Sequence, residues 1–223
     1  AFDGSGQISQ GPQGIAVSSA ISVAVTGLRH EDPALGAALG TAAQLTAQLS
    51  WLQGAPLILS DLDTRAGDLS LTGMAALLLD DNRLTLTTDL AAEAGDLSRF
   101  AAVAGQPLGG SLDGALTGEA ELLSGGFDMV LTGTGTDLAL ADGLPPQLLA
   151  GDTVLTVSAL RDEDGLTLRQ LSLAGRELTL EADGRVSAAG AILSAEARLN
   201  NVGLFTDALS GAVSATLDFT RGP

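Results

Sequence analysis

Cysteine, lysine and tyrosine are all missing from these 223 residues, and His and Trp occur once each. Each absence removes a class of function. Without Cys there are no disulfide staples, no thiolate metal site and no thiol catalysis, and the redox compartment is left open. The single His, His30 in Leu-Arg-His-Glu-Asp, has no second His to join it in a metal site and reads as an exposed residue ahead of a helix. There is no signal peptide and no apolar run long enough to cross a bilayer. The chain opens Ala-Phe-Asp-Gly without an initiating Met and closes Arg-Gly-Pro, so it is expected to be a piece of something longer. Aromatics reach only 3%, although 45% of residues are hydrophobic, a share that excludes disorder. The oily surface is therefore smooth Leu, Val and Ala.

Positive charge is scarce as well. Ten Arg face 27 Asp and Glu, for a formal net charge of -17. Such a balance repels phosphate backbones and anionic headgroups, so nucleic acid is excluded as a partner. The acids are scattered through turns and polar faces, where they solvate the chain and oppose aggregation.

What is present is alternation. In the stretch from Gly165 to Leu199, Leu166 and Leu168, Leu171 and Leu173, and Leu178 and Leu180 alternate with polar residues. That puts one set of side chains on each face of a strand, the mark of a half-buried β-strand. Short breaks such as Ala-Gly-Arg-Glu and Ala-Asp-Gly-Arg turn the chain back, predicting an antiparallel meander with one oily face.

In chain order, strands are predicted at Phe2 to Ser9 and Ile15 to Gly27, then a two-turn helix from Glu31 to Gly40 with Pro33 in its first turn. Four strands follow: Ala42 to Trp51, Leu57 to Thr64, Leu69 to Leu79 and Arg83 to Ala91. A second helix runs from Asp96 as cap to Gly105 as stop. Strands at Ser111 to Leu122 and Phe127 to Leu140 lead to a third helix, Leu144 to Gly151. The four-strand meander returns from Thr153 to Leu199, followed by a fourth helix, Val202 to Leu209, and a last strand ending near Phe219.

The order two strands, helix, four strands, helix thus occurs twice, giving tandem units at about 1–105 and 106–210 and a final strand at 211–220 of one elongated segment, 1–223. Leu57 and Leu166, and Leu69 and Leu178, are each 109 residues apart; Gly40 and Gly151 are 111 apart, Phe100 and Phe205 are 105 apart. A near-constant period of this kind, with indels in turns accounting for the 111 and 105, marks a repeat architecture.

Four short helices are too few to roof about a dozen strands, so the apolar face needs another cover. A sandwich, a barrel and a curled trough are the three solutions. A sandwich core wants bulky aromatics and non-repeating Greek-key spacing. A transmembrane barrel wants aromatic girdles, and Tyr is absent. Repeated strands of small aliphatics favour an all-β, solenoid-like fold with a few short helices: an antiparallel meander curled into an elongated, taco-like groove. A dry aliphatic groove suits acyl chains, which need no directional partner and gain about 0.8 kcal/mol per buried methylene. The alternative is that the leucines pack against one another as a core.

The run Gly-Asp-Leu-Ser-Arg-Phe-Ala-Ala-Val-Ala-Gly-Gln-Pro-Leu-Gly-Gly-Ser-Leu-Asp-Gly-Ala-Leu-Thr-Gly (Gly95 to Gly118) resembles the TamB family, the inner-membrane subunit of the translocation and assembly module. Gly133-Thr-Gly-Thr-Asp-Leu-Ala-Leu, Leu149-Ala-Gly-Asp-Thr and Arg-Asp-Glu-Asp-Gly-Leu-Thr-Leu are similar to the same family in rhythm and phrase. The likeness runs from about Asp32 to Phe219. It implies an AsmA-like, bridge-type lipid-transfer protein, anchored in the inner membrane of a Gram-negative bacterium and reaching across the periplasm. Its β-taco body would carry phospholipid acyl chains toward the outer membrane and support secretion and assembly of autotransporters and other outer-membrane proteins. The implied partner is a TamA-like outer-membrane barrel, met through other parts of the parent protein. No cofactor is implied.

On this reading the groove is lined by Ile21, Val23, Val25, Leu57, Leu59, Leu69, Leu71, Leu84, Leu86, Phe127, Met129, Leu131, Leu155, Val157, Leu166, Leu168, Leu178, Leu180, Leu217 and Phe219. The chain is not expected to be an enzyme. Asp61 and Asp63, two apart on a strand, would share a face and are read as solvent-facing. Asp162-Glu163-Asp164-Gly165 and Asp80-Asp81-Asn82 lack calcium-loop spacing and read as turns. Gly133-Thr134-Gly135 is no phosphate loop, because no helix follows. Two other classes stay open: a chaperone module that captures nascent outer-membrane strands on its sheet edge, and a purely structural adhesin or autotransporter-passenger solenoid.

Overall fold

The computed structural model describes residues 1–30, 33–80, 82–141, 143–206 and 208–222. The period-two runs form thirteen strands: β1 (Phe2–Gly11), β2 (Gly14–Thr26), β3 (Ala42–Leu52), β4 (Leu57–Ala66), β5 (Leu69–Asp80), β6 (Arg83–Ala94), β7 (Gly109–Glu121), β8 (Gly126–Ala139), β9 (Asp152–Asp162), β10 (Gly165–Ala174), β11 (Leu178–Ser187), β12 (Gly190–Leu199) and β13 (Val213–Arg221). Each is antiparallel to the next, so order in the sheet is order in the chain. The sheet curls into a groove and does not close into a barrel. Twelve spacings of about 4.8 Å make it about 58 Å long across the strands.

Turn chemistry fixes the reversals. The Asp162 carboxylate accepts the backbone N–H groups of Asp164 and Gly165 at 2.9 and 3.2 Å, so the acidic run there is a turn. Asn82, at φ 78, sits at the β5–β6 reversal in the left-handed region that Asn tolerates. Asp81 lies outside the described residues.

The helical pieces are smaller than their sequence pattern predicts. α1 (Pro33–Leu39) has seven residues, and its acidic start, Glu31 and Asp32, lies outside the described residues. The second helix is a 3-10 turn (Leu97–Phe100) running into α2 (Ala101–Ala104), closed by Gly105 at φ 67. The third and fourth are single 3-10 turns, Pro146–Leu149 and Val202–Leu204, and neither reaches α geometry. Pro146 opens the third where no intrahelical N–H bond is lost, and both segments stop after one turn.

The Asp96 carboxylate accepts the Ser98 N–H at 2.9 Å. Hydrogen bonds from the Ser98 side chain and backbone hold its pKa below the ordinary carboxylate value. A depressed folded-state pKa stabilises above the ordinary carboxylate range and loses that contribution as pH falls through it. Asp96→Asn should therefore keep the cap and flatten any acid-side loss of helicity near Leu97–Ala104, read by amide exchange.

Strand parity puts every helical piece on one rim. They follow β2, β6, β8 and β12, and each even-to-odd connection lies at the same end of the strands. The opposite rim carries turns alone. Along the helical rim α1 packs on the 97–104 segment. Leu97 and Leu204 pack on a buried cluster of Leu138, Leu148 and Leu149, which also takes Leu140, Leu178 and Leu199. Leu149 is 3% exposed. Leu149→Ala should cost about 2–5 kcal/mol in denaturant unfolding.

Two strand bulges match in position. β4 shifts register between Leu59 and Leu62, and β10 shifts between Leu168 and Leu171, each 109 residues later. Asp61 (φ 50) sits in the first of these. The bulge breaks the alternation between Asp61 and Asp63, which do not stand two apart on one regular face as predicted. Asp63 instead pairs with Arg65, at 3.1 and 3.2 Å.

Candidate functional site

Residues opposed in an antiparallel ladder share a face, so the register maps both sides of the sheet. One row reads Phe2, Val23, Leu45, Thr64, Leu71, Ala92, Gly114. It continues through Gly133, Leu155, Leu173, Leu180, Ala197 and Ala215. The neighbouring row carries Leu49, Leu59, Ala75, Thr88, Gly118, Met129, Ala159, Leu168, Gly184, Leu193 and Phe219. All twenty predicted lining residues lie on this one face. The reverse face, followed from Ser22 through Thr46, Asp63, Thr72 and Ala91 toward Glu181, Glu196 and Thr216, is polar.

The aliphatic face is the concave one. Strand residues that are buried all belong to it: Ala47, Ala66, Ala75, Thr88, Leu90, Ala94, Gly135, Thr153, Leu155 and Leu173, with Leu138 beyond the Asp137 bulge. Thr88 Oγ1 comes within 4.0 Å of Met129 Sδ although their strands are two apart, across Gly118 between them. Gly118, with no side chain, leaves the space in which the two meet.

Glycine makes the bend. The mid-strand glycines Gly73, Gly114, Gly118, Gly133 and Gly184 all lie on the concave face by the same register. A Cβ on Gly118 would stand 2.1 Å from the Asp128 carbonyl oxygen, and one on Gly114 would stand 2.4 Å from that of Thr132. Adjacent strands approach too closely there for any side chain. The sequence carried this signal as glycines inside alternating runs, and period-two reading alone passes over it.

The trough remains open. The accessible surface is 13649 Å², where a compact protein of 22.2 kDa would expose about 9,400 Å². Most leucines of the concave face are only half-buried; among strand leucines only Leu90, Leu155 and Leu173, with Leu138 at the rim, fall below a tenth exposed. Not all twenty predicted positions are equally free. Leu155 is buried, and Leu178 packs on the rim cluster of Leu138, Leu148 and Leu149, so both help seat the helical rim.

Polar candidates resolve separately. His30 is half-buried rather than exposed, packed near Gly36 of α1, and its Nε2 is buried with no hydrogen-bond partner among the described residues. Gly133-Thr134-Gly135 lies within β8. Among the described residues no three His, Cys, Asp or Glu side chains group as a metal site, and no helix is long and apolar enough to cross a membrane. Arg99 lies against Gly67 and Gly40 and pairs with Asp68 at 2.9 Å, tying the β4–β5 turn to the helical rim. That pair is partly exposed, so Arg99→Ala should cost about 1 kcal/mol or less in thermal unfolding.

Comparison of the chain with protein-family models, with curated proteins and with solved structures finds no match to any of them.

Proposed function

We propose that this chain is a segment of a lipid-conducting groove, in which the concave aliphatic face holds phospholipid acyl chains passing between membranes. The observation that carries the reading is the open, one-sided apolar face: the leucines of the trough stay half-accessible in a chain whose total accessible surface is 13649 Å². Soluble monomers rarely leave contiguous apolar patches beyond a few hundred Å² unless something binds there. A smooth aliphatic wall with few aromatics and little hydrogen-bonding capacity matches flexible hydrocarbon better than a rigid or polar ligand. The polar, acidic outer face, within a net charge of -17, keeps the segment in water.

The TamB-like phrases between Gly95 and Leu168 support placing the segment in a periplasm-spanning, AsmA-like parent protein that works with a TamA-like barrel, without catalysis and without a cofactor. The test is uptake of a fluorescent phospholipid from vesicles by the purified chain. Uptake that saturates with lipid supports the reading, and none under conditions where the chain is folded refutes it.

A second reading has its own observation. β1 and β13 each pair on one side only, and both are exposed along their whole length. Free edges of this kind add strands by β-augmentation, as a chaperone for nascent outer-membrane strands would require. Capture of an extended β-signal peptide by a lipid-free chain would favour this role.

A further inference from the structure

We infer that the turn rim, not the helical rim, is where the phospholipid headgroup sits, with Arg161 and Arg221 as its phosphate contacts. The inference rests on the groove reading above and assigns the lipid an orientation within it.

The two rims differ in kind. The helical rim is apolar and occupied: Leu148 and Leu149 are buried there, with Leu97 and Leu204 half-buried against them. The turn rim carries short turns alone. Arg161 stands next to the end of β9 and Arg221 ends β13, both at that rim.

Charge divides between the faces in the same sense. By register, Arg161 opposes Phe127 and Leu166, and Arg221 opposes Ala191, so both stand on the concave face at the turn end of their strands. The ladder places no Asp or Glu on that face among the described residues. Six other arginines are engaged: Arg65, Arg83, Arg99, Arg169, Arg176 and Arg185 all make ion pairs. Arg161 and Arg221 make none among the described residues.

The acids near them are largely committed. Around Arg161, Glu121 pairs with Arg83, Asp128 with Arg169 and Asp164 with Arg185, while Asp162 takes the turn N–H groups. Glu119, on the outer face, and Glu163 are left. The surroundings of Arg161 are acidic on the outer face and in the turn, while on the concave face itself the ladder places Arg161 and Arg221 and no carboxylate among the described residues.

The chemistry fits a phosphodiester. A guanidinium presents a planar fork to two phosphate oxygens and desolvates more readily than an ammonium. Trp51, which the register also sets on the concave face at the turn end, is the side chain that favours a boundary between hydrocarbon and water. Four strand spacings separate β9 from β13, about 19 Å, so the arginines make two headgroup stations rather than one clamp.

The test loads the full chain from vesicles with dioleoylphosphatidylethanolamine, whose net charge is zero, or with dioleoylglycerol, which has the same tails and no phosphate. The Arg161→Ala/Arg221→Ala double variant should bind the phospholipid about fivefold more weakly and dioleoylglycerol as the native chain does. Inorganic phosphate at millimolar concentration should not displace the phospholipid. If the double variant holds both lipids as well as the native chain, or if phosphate alone competes, the headgroup assignment is wrong. A native chain that takes up neither lipid overturns the groove reading as well. One that takes up dioleoylglycerol and not the phospholipid overturns only the headgroup assignment.

Discussion

Leu168→Asp should lower phospholipid uptake by at least tenfold while leaving the chain folded. Leu168 projects from β10 onto the concave face, opposite Ala159 on one side and Gly184 on the other. Both neighbours are small, and the leucine is half-buried. A carboxylate there takes nothing from the rim cluster, and unfolding should shift by about 1 kcal/mol or less. It does place a charge where a hydrocarbon chain would lie, and desolvating an unpaired carboxylate costs several kcal/mol, more than any few methylenes return. Leu178→Asp is the instructive contrast. It lies on the same face but packs on Leu138, Leu148 and Leu149, so loss of uptake should come with loss of stability. Fluorescent-lipid uptake and denaturant unfolding, run side by side, separate the two effects. Uptake unchanged in Leu168→Asp would mean that lipid, if bound, lies elsewhere.

Gly118→Val should destabilise the fold by about 3 kcal/mol or more. Its backbone sits at φ 142, and a Cβ would collide with the Asp128 carbonyl at 2.1 Å. The neighbouring strand's backbone would have to move, and with it the bend that brings Thr88 to Met129. Gly125, at φ 74 in the β7–β8 turn, is the matched control, because nothing lies within 4 Å of its Cβ position. Gly125→Ala should cost only about 1 kcal/mol, the strain of a side chain at positive φ. Equal losses at the two positions in urea unfolding would remove glycine packing as the cause of curvature.

Which face each side chain takes was legible before the fold, because period-two alternation is local. Leu57 and Leu59, or Leu178 and Leu180, need only a strand to fall together. Short-range turn chemistry was legible for the same reason, at Asp162 to Gly165 and at Asp96. Helix type was not. Whether Pro146–Leu149 and Val202–Leu204 wind as 3-10 or α turns depends on the leucines of the rim they pack against. His30 was misread as exposed because its cover comes from α1, through Gly36. The bulge at Asp61 was missed because an Asp at positive φ leaves no mark in hydrophobic periodicity. Two features were present in the sequence and needed a different question. Every helical piece follows an even number of strands, which sends all of them to one rim, and the mid-strand glycines Gly114, Gly118 and Gly133 announce where the sheet bends. Openness lies beyond pattern reading altogether, since half-burial of a leucine is the same alternation whether a second layer covers it or not.

The free edges of β1 and β13 and the open trough make separable demands, one for backbone partners and one for hydrocarbon. The central claim concerns the trough. Native mass spectrometry of the chain, purified from cells without detergent and set beside Leu168→Asp, tests it most directly. The account predicts adducts at phospholipid masses on the native chain and their loss from the variant. A native chain that flies bare, and that acquires no adduct after incubation with phospholipid vesicles, would contradict it.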